Sequence, residues 1–365
     1  MAYTTINKSS NEFITKRYEG NAGTQTIVTG VFPPTFSWIK KIEDGSSSEH
    51  CQFDTTRGAT NVIQSSTNEF QQTIATSLTA FNSTGFTLGS YGAVNGNGDA
   101  FISMNWRGGT TTGIATNGTT TITPSYYSFD QTNGFSTLRY TGNGVDGAYL
   151  AHGLGKVPKL MIVKRLTDNN GYDWYVYHAS LGNQKYLKLN ASGGISGTDG
   201  MWGSFTPDVV NMKMSNDAQI NTSGKEYVMY CWAEIPGYSK FNTYIGNGSA
   251  TNGTFVYTGF APAFVICKTL GTDSWLTFSR LIGSADPTGG STDYRKFNRH
   301  TYFFEANSGG APQSAGTNQG MDMYSNGFKL FEDNGNLNGN GQEYVYMAWA
   351  AAPLVGSNNV PANAR

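Results

Sequence analysis

The apolar positions of this chain fall in short runs, and polar turn formers close each run. The runs are rich in Val, Ile, Thr, Tyr and Phe, residues that favour strands. Gly, Asn, Ser and Thr interrupt them every several residues, which is turn chemistry. In the run YVMYCWAE, Tyr227, Met229 and Cys231 share one face, while Val228, Tyr230 and Trp232 share the other. Both faces are apolar, so such a strand must be covered on two sides. Helical periodicity is scarce. One helical turn is expected over Ser65 to Ala75 and a weaker one after Tyr294. The pattern predicts an all-β protein built from antiparallel β-sandwiches, jelly-roll-like in kind.

The pattern is written three times. A Tyr-x-Gly-Asn motif stands at Tyr18 to Asn21, Tyr140 to Asn143 and Tyr244 to Asn247. A strand-like run ending in lysine follows each time: Phe36 to Lys40, Leu160 to Lys164, and Phe264 to Lys268. Pro34, Pro158 and Pro262 stand just ahead of these runs, where a residue without an N–H suits the start of a strand. After a polar turn comes a second strand, carrying Trp174 in copy two and Trp275 in copy three. An alternating run ending at Trp106, Trp232 or Trp349 closes each copy. The spacing matches units of ~100–150 residues, each long enough for a core. It divides the chain into repeat unit one (1–106), a Thr/Gly-rich connector (107–133), unit two (134–241), unit three (242–355) and a polar tail (356–365). Units two and three, joined directly through EIPGYSKF, are expected to pack together most tightly.

Composition narrows the chemistry. Of 365 residues, 13% are charged and 13% aromatic, and the formal net charge is −1. No basic stripe for nucleic acid is present. No apolar run approaches the ~18 residues of a membrane-spanning helix. The N-terminus has no charged-then-apolar signal pattern, which implies synthesis in a reducing cytoplasm. Three cysteines do not make a disulfide framework, and Cys231 and Cys267 read as buried hydrophobes.

No sequence constellation commits the chain to catalysis, a metal or a cofactor. The four histidines show no pair at ligand spacing, and His178 reads as a hydrogen-bonded surface strand residue. The run from Asn334 mimics a calcium loop but has Val345 where an acid is needed, so it reads as a turn. Asp44, Asp168 and Asp273 recur in the turn after the lysine strand, and Asp99, Glu226 and Glu343 before the closing strand. They read as turn and surface acids. Core is the expected place for Trp106, Trp232 and Trp349. Trp202, in the glycine-flanked GMWGSF, is the candidate exposed contact, together with Tyr126 and Tyr127 of the connector and Pro33, which only copy one carries.

Several segments resemble a repeated domain of bacteriophage structural proteins. They include MAYTTINKSS, RYEGN, DTTRG, GFSTLRYTGNG, AHGLGKVPKLMIVKR, DWYVYHASLG and YIGNGSATNGTFVYTGFAPAFVICK. The resemblance covers nearly the whole chain, and the family is typical of marine phages and cyanophages. It implies a non-enzymatic virion protein of the tail-fibre, host-recognition type, associated with other virion proteins. It also implies a homo-oligomer, a trimer suiting a fibre, and contact with a host surface glycan or protein. Capsid decoration is the alternative, since the first repeat begins by Tyr18 with little room before it for an anchor. A glycan-binding or glycan-degrading module is the third.

Overall fold

The computed structural model describes residues 4–42, 47–168, 171–197, 201–203, 207–282, 299–300, 302–314 and 320–355. Unit one contributes β1 (Phe13–Glu19), β2 (Gln25–Val28), β3 (Pro34–Lys41), β4 (Cys51–Asp54), β5 (Asn61–Gln64), β6 (Gln72–Thr73), β7 (Leu78–Asn82), β8 (Gly85–Leu88) and β9 (Ala100–Arg107). Unit two holds β10 (Tyr126–Asp130), β11 (Phe135–Thr141), β12 (Ala148–Ala151), β13 (Pro158–Arg165), β14 (Tyr175–His178), β15 (Leu187–Lys188), β16 (Asn211–Met214) and β17 (Glu226–Ala233). Unit three holds β18 (Ser239–Ile245), β19 (Phe255–Tyr257), β20 (Phe260–Thr269), β21 (Leu276–Ser279), β22 (Arg299–His300), β23 (Tyr302–Glu305), β24 (Gln313–Ser314), β25 (Gly320–Met323), β26 (Gly327–Phe331) and β27 (Glu343–Pro353). The fold is all-β and sandwich-like.

Among the described residues the strands form three six-stranded sheets and three smaller ones. A common order runs through the large sheets: β1-β9-β3-β4-β5, β11-β17-β13-β14-β15 and β18-β27-β20-β21-β23. All their pairings are antiparallel, and the closing strand lies second in each. Its tryptophan stands opposite the first residue of the lysine run: Trp106 opposite Phe36, Trp232 opposite Leu160, Trp349 opposite Phe264. The three prolines mark a register shift at the start of that pairing, as a missing N–H dictates.

Each large sheet is covered on both faces. On one face lies its own smaller sheet. Tyr227, Met229 and Cys231 pack there with Leu150, Met212 and Met214 of unit two, and Ile39, Cys51 and Phe53 with Ile27, Phe86 and Leu88 of unit one. The other faces meet one another. Phe36, Trp38, Ile162, Tyr230, Ile266 and Met347 join one core shared by all three units. At its centre the three closing tryptophans touch pairwise: Trp106–Trp232 at 5.8 Å, Trp106–Trp349 at 5.3 Å and Trp232–Trp349 at 5.7 Å, all edge to face. The units thus close around an internal pseudo-threefold axis. Unit one is held to unit two by Phe36 stacked on Tyr230 at 4.1 Å, and to unit three by Phe13 against Trp349 at 5.9 Å. Units two and three meet through Ile195 N–H to Leu270 O at 2.8 Å and Asp273 N–H to Ser192 O at 2.7 Å.

The Tyr-x-Gly-Asn motif is a clamp, and its partner is an asparagine before each closing strand. The tyrosine hydroxyls of Tyr18, Tyr140 and Tyr244 donate to the carbonyls of Val94, Ile220 and Leu337, each at 2.7 Å. The motif's last N–H donates to the side-chain oxygen of Asn95 (3.0 Å), Asn221 (2.9 Å) or Asn338 (3.0 Å). Glycine is required between them. A Cβ on Gly20, Gly142 or Gly246 would lie 2.1, 2.4 or 2.3 Å from a carbonyl oxygen of the partner segment. The next residue then turns left-handed, at Gly144 and Gly248 in two copies but at Ala22 (φ 52°) in the first.

One local expectation is corrected. Residues 65–75 hold turns and the short strand β6 rather than a helical turn, because only three of the eleven are apolar and Ile74 N–H bonds Thr60 C=O instead of a helical partner. The described α-helix is the single turn Gly92–Asn95, inside the clamp. The helical turn expected after Tyr294 begins outside the described residues. Within the connector, β10 adds a sixth strand to the outer edge of β11, and Ile122 is buried against unit two.

Because only Ala22 is an L-residue in this left-handed position, Ala22→Gly is expected to raise stability by about 1 kcal/mol. Gly142→Ala, by contrast, is expected to lower it by roughly 2–3 kcal/mol. Urea unfolding midpoints of the two variants check both signs.

Candidate functional site

The seams between units hold most of the buried polar chemistry, and it is arranged cyclically. Trp174 and Trp275 occupy one position ahead of the second strand, and His50 holds it in unit one. Each reaches a backbone carbonyl of the preceding unit in the ring. Trp174 Nε1 donates to Gln64 O at 2.9 Å, Trp275 Nε1 to Lys188 O at 2.8 Å, and His50 Nε2 to Glu305 O at 3.1 Å. The acceptors are themselves equivalent, each pairing with the first residue of the strand that follows: Gln64 with Cys51, Lys188 with Tyr175, Glu305 with Leu276. His50 accepts the Trp38 indole N–H at Nδ1, 2.8 Å away.

The lysines ending the three strand runs are buried on this same face. Lys40 donates to Ser48 O at 2.6 Å and across the seam to Gly309 O at 3.1 Å. Lys164 donates to Tyr172 O and across the seam to Asn68 O at 2.9 Å. Lys268 holds Thr269 O and Gly271 O, both at 2.7 Å. Each ammonium therefore fastens a carbonyl of the turn that follows its strand, at Ser48, Tyr172 or Gly271. Burial pulls all three down to about 8. A further seam contact joins units one and two. Asp54 and Arg57 form a fully buried ion pair at 2.5 Å, and Tyr230 of unit two donates its hydroxyl to Asp54 at 2.7 Å.

The histidines are committed as well. His178 is buried rather than a surface residue, and its Nε2 bonds Tyr346 O of unit three at 3.3 Å. The reason is the strand's place beside a seam, where both of its faces are covered. His152 accepts Leu154 N–H at Nδ1 and bonds Asp208 O at 3.0 Å. Burial holds His152 and His178 at about 4 and His50 well below its ordinary value. Cys51, Cys231 and Cys267 are buried free thiols. Burial pushes Cys51 and Cys267 up to about 12 and raises Cys231 as well.

The recurrent acids make ion pairs or turns. Asp99 pairs with Lys41 at 2.8 Å, Glu226 with Arg139 at 2.7 Å, and Asp168 with Arg165 and Lys225. Asp273 accepts Ser274 N–H at 2.8 Å. Asp44 lies outside the described residues. The run from Asn334 forms a turn in which Asn334 accepts Asn336 N–H at 2.9 Å. Among the described residues no cluster of three potential metal ligands occurs, and no helix is long and apolar enough to cross a membrane.

Of the expected contact residues, Trp202 is fully buried, not exposed. It packs edge to face on Tyr177 at 5.7 Å, among Met201, Met212 and Met214. Gly203, at φ 70°, supplies a turn open to few other residues beside it. Tyr126 is exposed, with the Arg139 guanidinium 5.3 Å above its ring. Tyr127 is half-buried, stacked on Phe129, and its hydroxyl accepts Ile114 N–H at 3.2 Å. Pro33 is exposed beside the buried Phe32. The four do not converge on one site. Exposed apolar side chains that sequence reading missed include three on the smaller sheets, Val28 in unit one and Phe255 and Tyr257 in unit three, with Ile245 nearby.

The family described as a domain of unknown function (DUF7483) matches residues 8–353. The chain belongs to that family. No curated protein and no solved structure matches it. For this DUF7483 chain the match spans all three six-stranded sheets.

The buried groups set the pH response. The histidines bind fewer protons folded than unfolded, so stability is expected to fall as pH drops from 6.5 towards 4. The lysines also bind fewer protons folded between pH 8 and 10.5, so stability should rise from pH 8. The thiols act oppositely above pH 9, their ordinary value, and level the curve there. Thermal midpoints from pH 4 to 10 test this, and Lys164→Met should flatten the rise near pH 8–9.

Proposed function

We propose that this chain is a non-enzymatic structural protein of a bacteriophage virion, of the tail-fibre or host-recognition type. The observation that carries the reading is the closure of three equivalent sheets around the Trp106–Trp232–Trp349 contact. That closure uses the chemically versatile side chains as scaffold. Lysines, histidines and the Asp54–Arg57 pair hold backbone or each other at the seams. What remains outward is a weakly charged surface carrying Tyr126, Phe255 and Tyr257. Exposed aromatic side chains of this kind give rigid contacts to a host glycan or protein.

The internal pseudo-threefold also favours a second reading, capsid decoration. A single chain presenting three similar flanks fits a threefold position in an assembly. Further association into a homo-oligomer would add copies of a unit that is already threefold in form.

Antibodies to the purified protein, followed by gold labelling of intact virions, test the location. Labelling at the tail, with binding of the protein to host cells, is the expected result. Labelling over the head would replace it with decoration, and no labelling of virions would overturn both. Release of reducing sugar from host polysaccharide would overturn the non-enzymatic reading.

A further inference from the structure

The smaller sheet of each unit ends in a short uncharged strand, β2, β12 or β19. In unit two alone, among the described residues, that edge is occupied. Thr121 and Ile122 of the connector lie along β12. Both of their N–H groups donate to Tyr149 O at 2.9 Å, and Ala151 N–H donates to Ile122 O at 3.1 Å. Thr121 Oγ1 accepts Tyr149 N–H at 2.7 Å. Ile122 is buried by this docking, and Ala151 is 0% exposed.

The same edges in the other units are built alike, and no described residue lies along them. Register makes Leu150, Ile27 and Val256 equivalent, each opposite an inward residue of the neighbouring strand (Met212, Phe86 and Phe328). Tyr149 and Ala151 therefore correspond to Thr26 and Val28 in unit one, and to Phe255 and Tyr257 in unit three. In unit three, Leu330 N–H bonds Thr254 O at 3.0 Å and Thr258 N–H bonds Asn326 O at 2.9 Å. Main-chain groups alternate sides along an antiparallel strand, so those of Phe255 and Tyr257 point outward. In unit one, Thr29 N–H bonds Thr84 O at 3.0 Å, which turns Thr26 and Val28 outward by the same rule. Val28 is 56% exposed, Tyr257 49% and Phe255 45%, where their covered counterpart Ala151 is 0%.

Charge separates these edges from an edge defended against pairing. The outer edge of β1 carries exposed Lys16, Arg17 and Glu19, the usual protection of an open strand. Strands β2 and β19 carry no charge.

We propose that the open edges of β2 and β19 receive an extended segment of a partner polypeptide by strand addition. The occupant is an uncharged run with a β-branched aliphatic residue flanked by threonines, the chemistry the connector itself lays on β12. Main-chain bonds to Thr26, Val28, Phe255 and Tyr257 would hold it. This inference does not depend on the virion reading, since it concerns any partner strand.

A fluorescein-labelled peptide copying residues 114–125, IATNGTTTITPS, is the probe, titrated into the full chain. Saturable binding below about 1 mM is expected. N-methylation at the peptide's central isoleucine should weaken it at least about tenfold, as should the double variant Val28→Lys, Tyr257→Lys. Hydrogen exchange at the Val28 and Tyr257 amides should slow on binding. Absence of saturable binding, equal binding of the N-methylated peptide, or protection confined to other residues would overturn the proposal. The N-methylated peptide keeps the test decisive if the double variant fails to fold.

Discussion

A strand that is apolar on both faces has to be covered twice, and the closing strands of this protein are of that kind. Tyr227, Met229 and Cys231 of β17 are covered by unit two's own smaller sheet. Val228, Tyr230 and Trp232 have only the other units to bury them. The same holds for Trp106 on β9 and Trp349 on β27. A buried aromatic ring removes ~150–250 Å² from water, worth on the order of 4 kcal/mol at ~25 cal/mol per Å². Opening the ring at the axis would expose three tryptophans and the phenylalanines around them at once. Marginal stability of ~5–15 kcal/mol cannot absorb that loss. The repeats are therefore units of pattern, not of independent folding, and the shared core makes the chain one body.

Apolar burial alone leaves the rotational setting of one sheet on another loosely defined, since it lacks direction. The seams add direction through hydrogen bonds to main-chain carbonyls. Trp174, Trp275 and His50 reach equivalent acceptors in the preceding unit, so a slip of one residue would orphan a buried donor in each seam. A buried unmet donor costs ~1–3 kcal/mol, enough to reject a wrong register. The lysines do similar work at higher electrostatic cost. An ammonium in the core is tolerated because main-chain carbonyls surround it and accept its hydrogen bonds. His50 fits the same logic. Its Nδ1 receives the Trp38 N–H and its Nε2 gives to Glu305, so only the neutral ring satisfies both neighbours.

Much of this was legible in the chain. Alternation on YVMYCWAE announced a strand covered twice, and the recurrent prolines and closing tryptophans marked register. The lysines were visible as a repeated letter, but their role was not, because a lysine ending an apolar run is ordinarily a solvated end. The partners of the Tyr-x-Gly-Asn clamp went unread. Asn95, Asn221 and Asn338 sit among many asparagines in turns, and only their place eleven residues before each closing tryptophan distinguishes them. Trp202 misled for a related reason. Flanking glycines suggest an exposed loop, yet a turn at Gly203 also lets a loop fold its indole inward. The connector's Thr/Gly composition did not announce its strand, although Thr and Ile are good strand residues once an open edge is there to receive them.

The copies depart from one another where symmetry would otherwise be useless or harmful. Three identical smaller sheets would offer three identical open edges, and the chain closes one with its own connector. That segment serves twice, through Ile122 on β12 and through β10 on β11. The corresponding outer edge in unit one carries charge instead, at Lys16, Arg17 and Glu19. In unit three, β18 has Ser180 of unit two beside Asn242. Three solutions to one exposed edge imply that each edge is a constraint in its own right. Where no described residue covers the edge, at β2 and β19, the outward residues are uncharged. A surface that only had to avoid pairing would not be built that way, since one lysine at either position would suffice.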